Sequence, residues 1–467
     1  MISFTTQEKN ALNLFSPGFG GTKVPEWLKK FLDNGLGGVT LFGSNTPDLE
    51  TTNNLVAQLR IYNPDLIVSI DEEGGDVTRL FAREGSPIPS AALLGKINNL
   101  EFTEKCFLNL GNILKSLDID MTFAPVADVV SSPKNPILGV RSFGIDTDLV
   151  CEHIAAAVTG LKKAKVSSSL KHFPGHGGAI EDSHHSLPRV RETYEILEEI
   201  HLKPFLSGIT AGADSIMVGH LVIESLDAKN AASQSKIVMN EFLRNKIGYQ
   251  GVIITDALDM GALGGAASIS QSAVNAISTG ADFLCFSGLS EQEEFVSTSI
   301  NHVTKAISAG LIDESEIAES SLRIAHLRDQ TKQTIKAKNI NSDELTSGFE
   351  IYGNPKIKSK SIKYSQLSGE PTIAAGHINW GLKNALLSKE LNVLEVDHFE
   401  DVEIVVFRDA WRDRKMYSQI TKIKEFNPDC IFIDMGWPTL EFNPKNLIRT
   451  FGVGAITSEA VVSLLLA

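Results

Sequence analysis

The residues best suited to chemistry are Lys171-His172-Phe173-Pro174-Gly175-His176-Gly177-Gly178 and, just beyond, Asp182-Ser183-His184-His185. Four of the chain's 11 histidines fall in this stretch, beside Lys171 and Asp182. Imidazoles gather in this way where protons are moved or a metal is held, because histidine titrates near neutral pH and offers a lone pair. A carboxylate at Asp182, two residues from His184, can orient that ring and stabilise its protonated form, as the acid does in hydrolytic triads. His172 and His176 could instead be metal ligands. The metalloprotease pattern, however, puts a Glu after the first His on a helix, and no helix passes through Phe173-Pro174-Gly175. A third reading makes the stretch a solvated loop whose histidines cap backbone. Its density in Gly, Pro and His after a buried strand argues for function instead.

Something must position these groups. The apolar, β-prone run 166–170 feeds into Lys171 and His172, placing both at a strand's end, and the Pro and Gly residues that follow impose a long loop. Eight such short apolar runs are found in the first three hundred residues: 11–15, 38–42, 66–70, 119–124, 167–172, 215–219, 252–255 and 282–286. Each is short enough for a strand buried on both faces. Helical patterns over 150–163, 194–208 and 271–278 lie between them, so parallel strands with helical crossovers are expected. Eight units closing on themselves make a TIM-type (β/α)8 barrel. Asp71, His220 and Asp256 each follow a run, Asp128 trails the fourth and Lys171-His172 end the fifth, and the carboxyl ends of barrel strands share one face. Residues nearly two hundred positions apart are thereby expected to meet in one pocket.

A helical stretch over 314–331 closes the barrel portion, expected to span residues 1–333. Residues 334–371 are rich in Lys, Ser, Asn and Gly and read as a surface linker. Apolar runs resume in 372–467, with strands expected at 391–396, 402–407 and 430–435 and helices at 416–426 and 458–466. This makes a small α/β domain of three or four strands with no evident catalytic constellation. Asp409, Trp411, Arg412, Arg414 and Trp437 read as loop and packing residues there.

The 42% hydrophobic content of the 467 residues supplies a large core, and 21% charged is ordinary for a soluble protein. The formal net charge of -14 argues against a nucleic-acid partner and against adhesion to anionic membranes. Cys106, Cys151, Cys285 and Cys430 are scattered, with no CxxC pair, and read as free thiols. The first nine residues are polar and resemble no signal peptide, and no apolar run approaches the roughly 20 residues of a membrane helix. A cytoplasmic protein is expected.

Lys-His-Phe-Pro-Gly-His-Gly, followed by Asp-Ser-His and Leu-Pro, resembles the signature of glycoside hydrolase family 3 β-N-acetylglucosaminidases of the bacterial cell-wall recycling type. The resemblance spans about Ala11 to Gln330 and implies the barrel fold, with a His/Asp dyad on a mobile loop in place of a carboxylic acid. It departs at Gly178-Ala179, where the family usually has Asp-Thr, and a loosely held loop is expected there.

By the same resemblance, Asp256, in Gly251-Val252-Ile253-Ile254-Thr255-Asp256-Ala257-Leu258-Asp259-Met260, is the nucleophile. His184 is the acid/base, with Asp182 as its orienting partner. Nearby Asp259 is expected to be a helix N-cap, and Asp256 read alone could be one too. Asp71-Glu72-Glu73-Gly74-Gly75 with Arg79, and Gly139-Val140-Arg141-Ser142-Phe143-Gly144, resemble two further family segments. They imply Asp71, Arg79 and Arg141 as sugar contacts alongside Lys171 and His172. Carboxylates accept from hydroxyls and a guanidinium donates in a planar fork, which suits a non-reducing-end sugar. Read singly, Arg79 and Arg141 could equally be ion-pair partners. Asp128 is expected to support structure.

The reading is a retaining exo-β-N-acetylglucosaminidase acting on small glycosides such as muropeptide fragments, without metal or cofactor. The alternatives are a phosphorylase using phosphate as acceptor, a β-glucosidase or xylosidase of the same family, and a non-catalytic sugar-binding protein. The sequence leaves the oligomeric state open.

Overall fold

The computed structural model describes residues 4–132, 135, 137–179, 187–287, 292–328, 339–396, 401–438 and 441–467. Eight parallel strands build the first unit: β1 (Phe15–Ser16), β2 (Gly38–Leu41), β3 (Ile67–Ile70), β4 (Met121–Thr122), β5 (Ser167–Phe173), β6 (Ser215–Val218), β7 (Val252–Thr255) and β8 (Leu284–Cys285). Strands β2 to β7 pair with their neighbours in chain order. β8 pairs with β1, and the bridges Ile254–Phe283 and Gly18–Thr40 join that pair to β7 and β2, closing the ring.

Every residue of these strands is buried, the pattern expected when helices cover one face and the barrel interior fills the other. Three of the interior hydroxyls satisfy one another: Thr40 Oγ1 lies 3.1 Å from Ser16 Oγ and 3.0 Å from Ser69 Oγ. Helices Leu49–Tyr62, Leu100–Ser116, Thr147–Lys163 and Ile269–Ser278 form the outer layer between strands. The first three start where Asp48, Asn99 and Asp146 accept an amide of the first turn.

The first strand departs from expectation. Thr5 and Glu8 form a capping box that starts helix Thr6–Leu12, so the run 11–15 is divided and only its last residue enters β1. Helix Glu314–Ala325 follows the barrel, and part of the remaining helical stretch to 331 lies outside the described residues.

The second unit also differs. It is a six-stranded sheet, not one of three or four strands, built from β9 (Glu350–Tyr352), β10 (Ser361–Leu367), β11 (Asn392–Glu395), β12 (Ile404–Phe407), β13 (Ile431–Asp434) and β14 (Asn446–Arg449). The spatial order is β9-β14-β13-β12-β10-β11, parallel except for β9 against β14. β9 and β10 fall inside the segment read as a linker. They escape a hydropathy reading because β9 is largely exposed and β10 (Ser-Ile-Lys-Tyr-Ser-Gln-Leu) buries only Ile362 and Tyr364 fully.

The two units meet through paired polar groups behind the barrel mouth. Arg408 Nη1 lies 2.8 Å from Asp76 Oδ2, while Asp76 Oδ1 accepts the Val453 amide. Ser90 Oγ donates to the Phe451 carbonyl, and the Ala455 amide donates to Ser86 O. Burial raises the Asp76 carboxyl, and Arg408 offsets only part of that rise. Removing Arg408 strands a buried carboxylate, so Arg408→Ala should cost about 3 kcal/mol. Asp76→Asn combined with Arg408→Met should recover most of that loss, because no charge is then orphaned. Urea unfolding of the three proteins checks this; a single variant as stable as the parent would exclude the pair as an anchor.

Candidate active site

The carboxyl ends of β3, β4, β5 and β7 empty into a cavity of about 490 Å³. Asp71, Arg79, Arg141, Lys171, His172 and Asp256 all line it, together with Glu73 and His176. Asp182 and His184 lie outside the described residues.

Lys171, one residue beyond the β-prone run 166–170, is buried and reaches two carboxylates, Asp71 Oδ1 at 2.8 Å and Glu73 Oε1 at 2.6 Å. Arg141 holds Glu73 with both arms of its fork, Nε to Oε2 at 2.9 Å and Nη2 to Oε1 at 2.7 Å. Arg79 Nη2 stands 3.6 Å from Asp71 Oδ2. Burial alone would raise both acids. The Lys171 and Arg79 charges hold Asp71 well below the usual carboxylate range, and Arg141 with Lys171 does the same for Glu73. Both therefore remain acceptors at any physiological pH. Glu73 escaped the sequence reading although it is the Glu of the Asp-x-Glu-Gly-Gly segment; its signal was present.

Asp128 holds two residues of the glycine-rich segment in place. Its Oδ2 accepts from the His172 amide at 3.1 Å and lies 2.8 Å from His172 Nδ1, and its Oδ1 accepts the His176 amide at 2.6 Å. Pairing Nδ1 with a carboxylate leaves Nε2 for a ligand. Burial opposes the Asp128 charge, but the His172 hydrogen bond keeps its carboxyl below the ordinary value. His176 packs 5.9 Å from the His172 ring. Burial first, then the neighbouring His172, pushes His176 down to about 4, so it is neutral near pH 7. Neither of its ring nitrogens has a hydrogen-bond partner among the described residues.

The glycine-rich segment is hydrogen-bonded to its surroundings as far as Ala179, the start of the loop expected to be loosely held. Asn135 Nδ2 donates to the carbonyls of His176, Gly177 and Ala179, and Ser132 N donates to Gly177 O. A Cβ at Gly177 would fall 1.7 Å from Val129 O, and one at Gly178 would fall 2.6 Å from Glu192 Oε1. Residues 180–186 lie outside the described set.

Across the ring, Asp256 follows β7, its amide donating to Val218 O and its Oδ1 accepting the Ala257 amide at 2.8 Å. His220 Nε2, 2.9 Å from Ala257 O, steadies that turn from β6. Asp259 is not a helix cap: it binds the Ser287 amide and hydroxyl, tying the β7 loop to the β8 loop. The remaining wall is one the sequence did not indicate. Residues 373–378 of the second unit line the cavity, held where Arg79 donates to Ala374 O at 2.7 Å and to Ala375 O at 3.2 Å.

A (β/α)8 barrel with a charged cavity at the carboxyl ends of its strands places a candidate active site where barrel enzymes carry theirs. The sequence pattern of the glycosyl hydrolase family 3 N-terminal domain matches residues 14–327, and the chain belongs to that family. It is 29% identical to beta-hexosaminidase A of Pseudoalteromonas piscicida over 363 residues, 72% of this chain and 59% of that protein's length. It is 35% identical to the beta-hexosaminidase of Tolumonas auensis over 253 residues, 53% of this chain and 75% of that one. A family 3 beta-N-acetylglucosaminidase from Paenibacillus sp. str. FPU-7 superposes with a TM-score of 0.85 at 25% identity, covering 99% of this chain and 97% of that chain. Both units, not the barrel alone, thus have a counterpart in that structure.

One buried group beneath the cavity titrates near neutrality. Glu72 is fully buried, and its Oε2 accepts the amides of Arg79 and Leu80 at 2.8 and 3.0 Å, fixing the turn that carries Arg79. Burial pushes its carboxyl up to about 7, against the hydrogen bonds from Thr78, Leu80 and Arg79. The folded state therefore holds this proton more tightly than the unfolded state does. Its stabilising effect is full below about pH 4.5 and is lost as pH rises through about 7. Glu72→Gln keeps a neutral acceptor and removes that loss, so at pH 8 it should be more stable than the parent by about 3 kcal/mol. Thermal unfolding at pH 5 and pH 8 checks it; equal pH dependence in both proteins would exclude Glu72 as the titrating group.

Proposed function

We propose that the chain is a retaining exo-β-N-acetylglucosaminidase that releases GlcNAc from small β-linked glycosides such as muropeptide fragments. The observation that carries this reading is the cavity itself. Buried carboxylates and cations occupy one side and Asp256 the opposite side, within the roughly 300–1,000 Å³ of small-molecule sites. Asp71, Glu73, Arg141 and Lys171, held as ion pairs, and His172, oriented by Asp128, supply the acceptors and donors that a pyranose's hydroxyls need. The names of the relatives support hexosamine as the sugar.

In the first step the Asp256 carboxylate attacks the anomeric carbon. The glycosidic C–O bond breaks, and the leaving oxygen takes a proton from His184, which Asp182 orients. In the second step His184 takes a proton from water, whose oxygen displaces Asp256 and returns the sugar with its configuration retained. The cysteines found as free thiols, Cys106, Cys151, Cys285 and Cys430, fit a reducing compartment, and the reading places the enzyme in the cytoplasm. No helix among the described residues is long and apolar enough to cross a membrane.

A panel of chromogenic β-glycosides tests the sugar; preference for glucoside or xyloside over the N-acetylglucosaminide would overturn it. Asp256→Ala should abolish turnover. His184→Ala should slow substrates with poor leaving groups at least tenfold more than activated aryl ones, because an aryl oxide needs little proton assistance. Equal losses for both classes would remove His184 from the acid role. Product analysis in excess inorganic phosphate tests the acceptor. Free GlcNAc alone is expected, since water is always at hand and a second ligand must be immobilised; GlcNAc-1-phosphate as main product would make the protein a phosphorylase.

A further inference from the structure

Counting round the ring, β3 and β7 are four strands apart in a barrel of eight and therefore stand opposite each other. Asp71 follows β3 and Asp256 follows β7, and both line the cavity. A pyranose bound between them with its C1 at Asp256 presents its far end, C4 and the neighbouring C3, to Asp71 and Arg79. Resting on the glycosidase reading, this fixes what residues 373–378 face. They are clamped to Arg79, so they stand at the end of the sugar remote from the bond that is cut. In a β-linked chain, the next sugar on the non-reducing side hangs from that end.

We propose that this strap, contributed by the second unit, is the end wall that limits the cavity to one terminal sugar with free hydroxyls at C3 and C4. Several contacts make it a wall and not a passing loop. Asn379 N donates to Ala82 O at 2.6 Å and Asn379 Nδ2 to Arg83 O at 2.9 Å, so its outgoing end is fastened to the same barrel loop that carries Arg79. Thr372 closes a turn inside it, accepting from Gly376 N at 2.9 Å and, through Oγ1, from Ala375 N at 3.2 Å. Gly376 has φ +65°, the left-handed conformation that lets this turn reverse beside the guanidinium. One guanidinium thus serves both the sugar-binding Asp71 and the strap, and the strap cannot shift without moving Arg79. Ile373 and His377 are exposed at the cavity rim, where they would meet a substituent on the terminal sugar.

The test compares p-nitrophenyl N-acetyl-β-glucosaminide with its 4-O-methyl derivative. The parent enzyme should favour the unsubstituted sugar by at least a hundredfold in kcat/KM. The double variant Ile373→Gly/His377→Gly removes two exposed side chains and leaves the backbone carbonyls that hold Arg79. It should narrow that ratio at least tenfold, whereas general damage to the site would slow both substrates together. A second variant, with 373–378 replaced by two glycines, should also release intact chitobiose from p-nitrophenyl chitobioside. A parent enzyme indifferent to the 4-O-methyl group, or a ratio unchanged in the double variant, overturns the end wall while leaving the glycosidase reading intact. A parent enzyme inactive on the unsubstituted glycoside overturns that reading, and the end wall with it.

Discussion

The site depends on a charge balance that must be met before any ligand arrives. Lys171, Arg141 and Arg79 are taken largely out of water, which costs several kcal/mol per ion unless each finds an opposite charge in good geometry. Asp71 and Glu73 provide it, with Lys171 bridging the two and Arg141 forked on the second. Two carboxylates cannot cancel three cations, and the buried Asp128 carboxylate, held below its ordinary value, adds a third negative charge whose field reaches Arg141. Each group fixes the next, so the cavity is formed in advance and has little reorganisation left to undergo when charge develops on a bound sugar.

The barrel makes this arrangement possible and the second unit completes it. Strand ends β3, β4, β5 and β7 deliver the charged residues from four directions: Asp71 and Asp256 directly follow β3 and β7, Lys171 lies in β5, and Arg79 and Arg141 reach in from the longer loops after β3 and β4. Glu72 holds the Arg79 turn from below, and the carbonyls of Ala374 and Ala375 hold the Arg79 head from above. Arg79 is therefore specified from both units. That gives the interface around Asp76 and Arg408 a structural consequence for the cavity: its alignment sets where residues 373–378 stand over it.

Local signals made most of the barrel legible. Runs such as 66–70 and 252–255 are continuous apolar stretches because their strands are buried on both faces, and the chemical residues follow them directly. Legibility failed where the deciding contact was remote or half-exposed. The capping box at Thr5 and Glu8 overrode the apolar run 11–15. β10 carries alternating polar residues over a single covered face and so passed for a linker. Glu73 was quoted within its motif without a role, because its partners Arg141 and Lys171 are 68 and 98 positions away. The strap had no motif at all: two backbone carbonyls accepting from an arginine nearly three hundred residues earlier leave no trace in residue type.

Gly178-Ala179 can now be understood in the same terms. The family signature that the motif resembles has Asp-Thr there, and loss of a carboxylate suggested a slack loop. In this chain Glu192 occupies the space into which a side chain at 178 would point: a Cβ would meet all three atoms of its carboxylate within 3.0 Å. Glu192 Oε2 in turn stands 2.6 Å from Nε2 of His201, a fully buried ring that also fills the space beside Gly175 and Gly177. An Asp at 178 would set two carboxylates against each other in a partly buried place, which disfavours ionising both. Gly178 therefore suits a place that Glu192 already fills. A carboxylate thus stands beside the glycine-rich segment, reached from the following segment instead of from the motif itself.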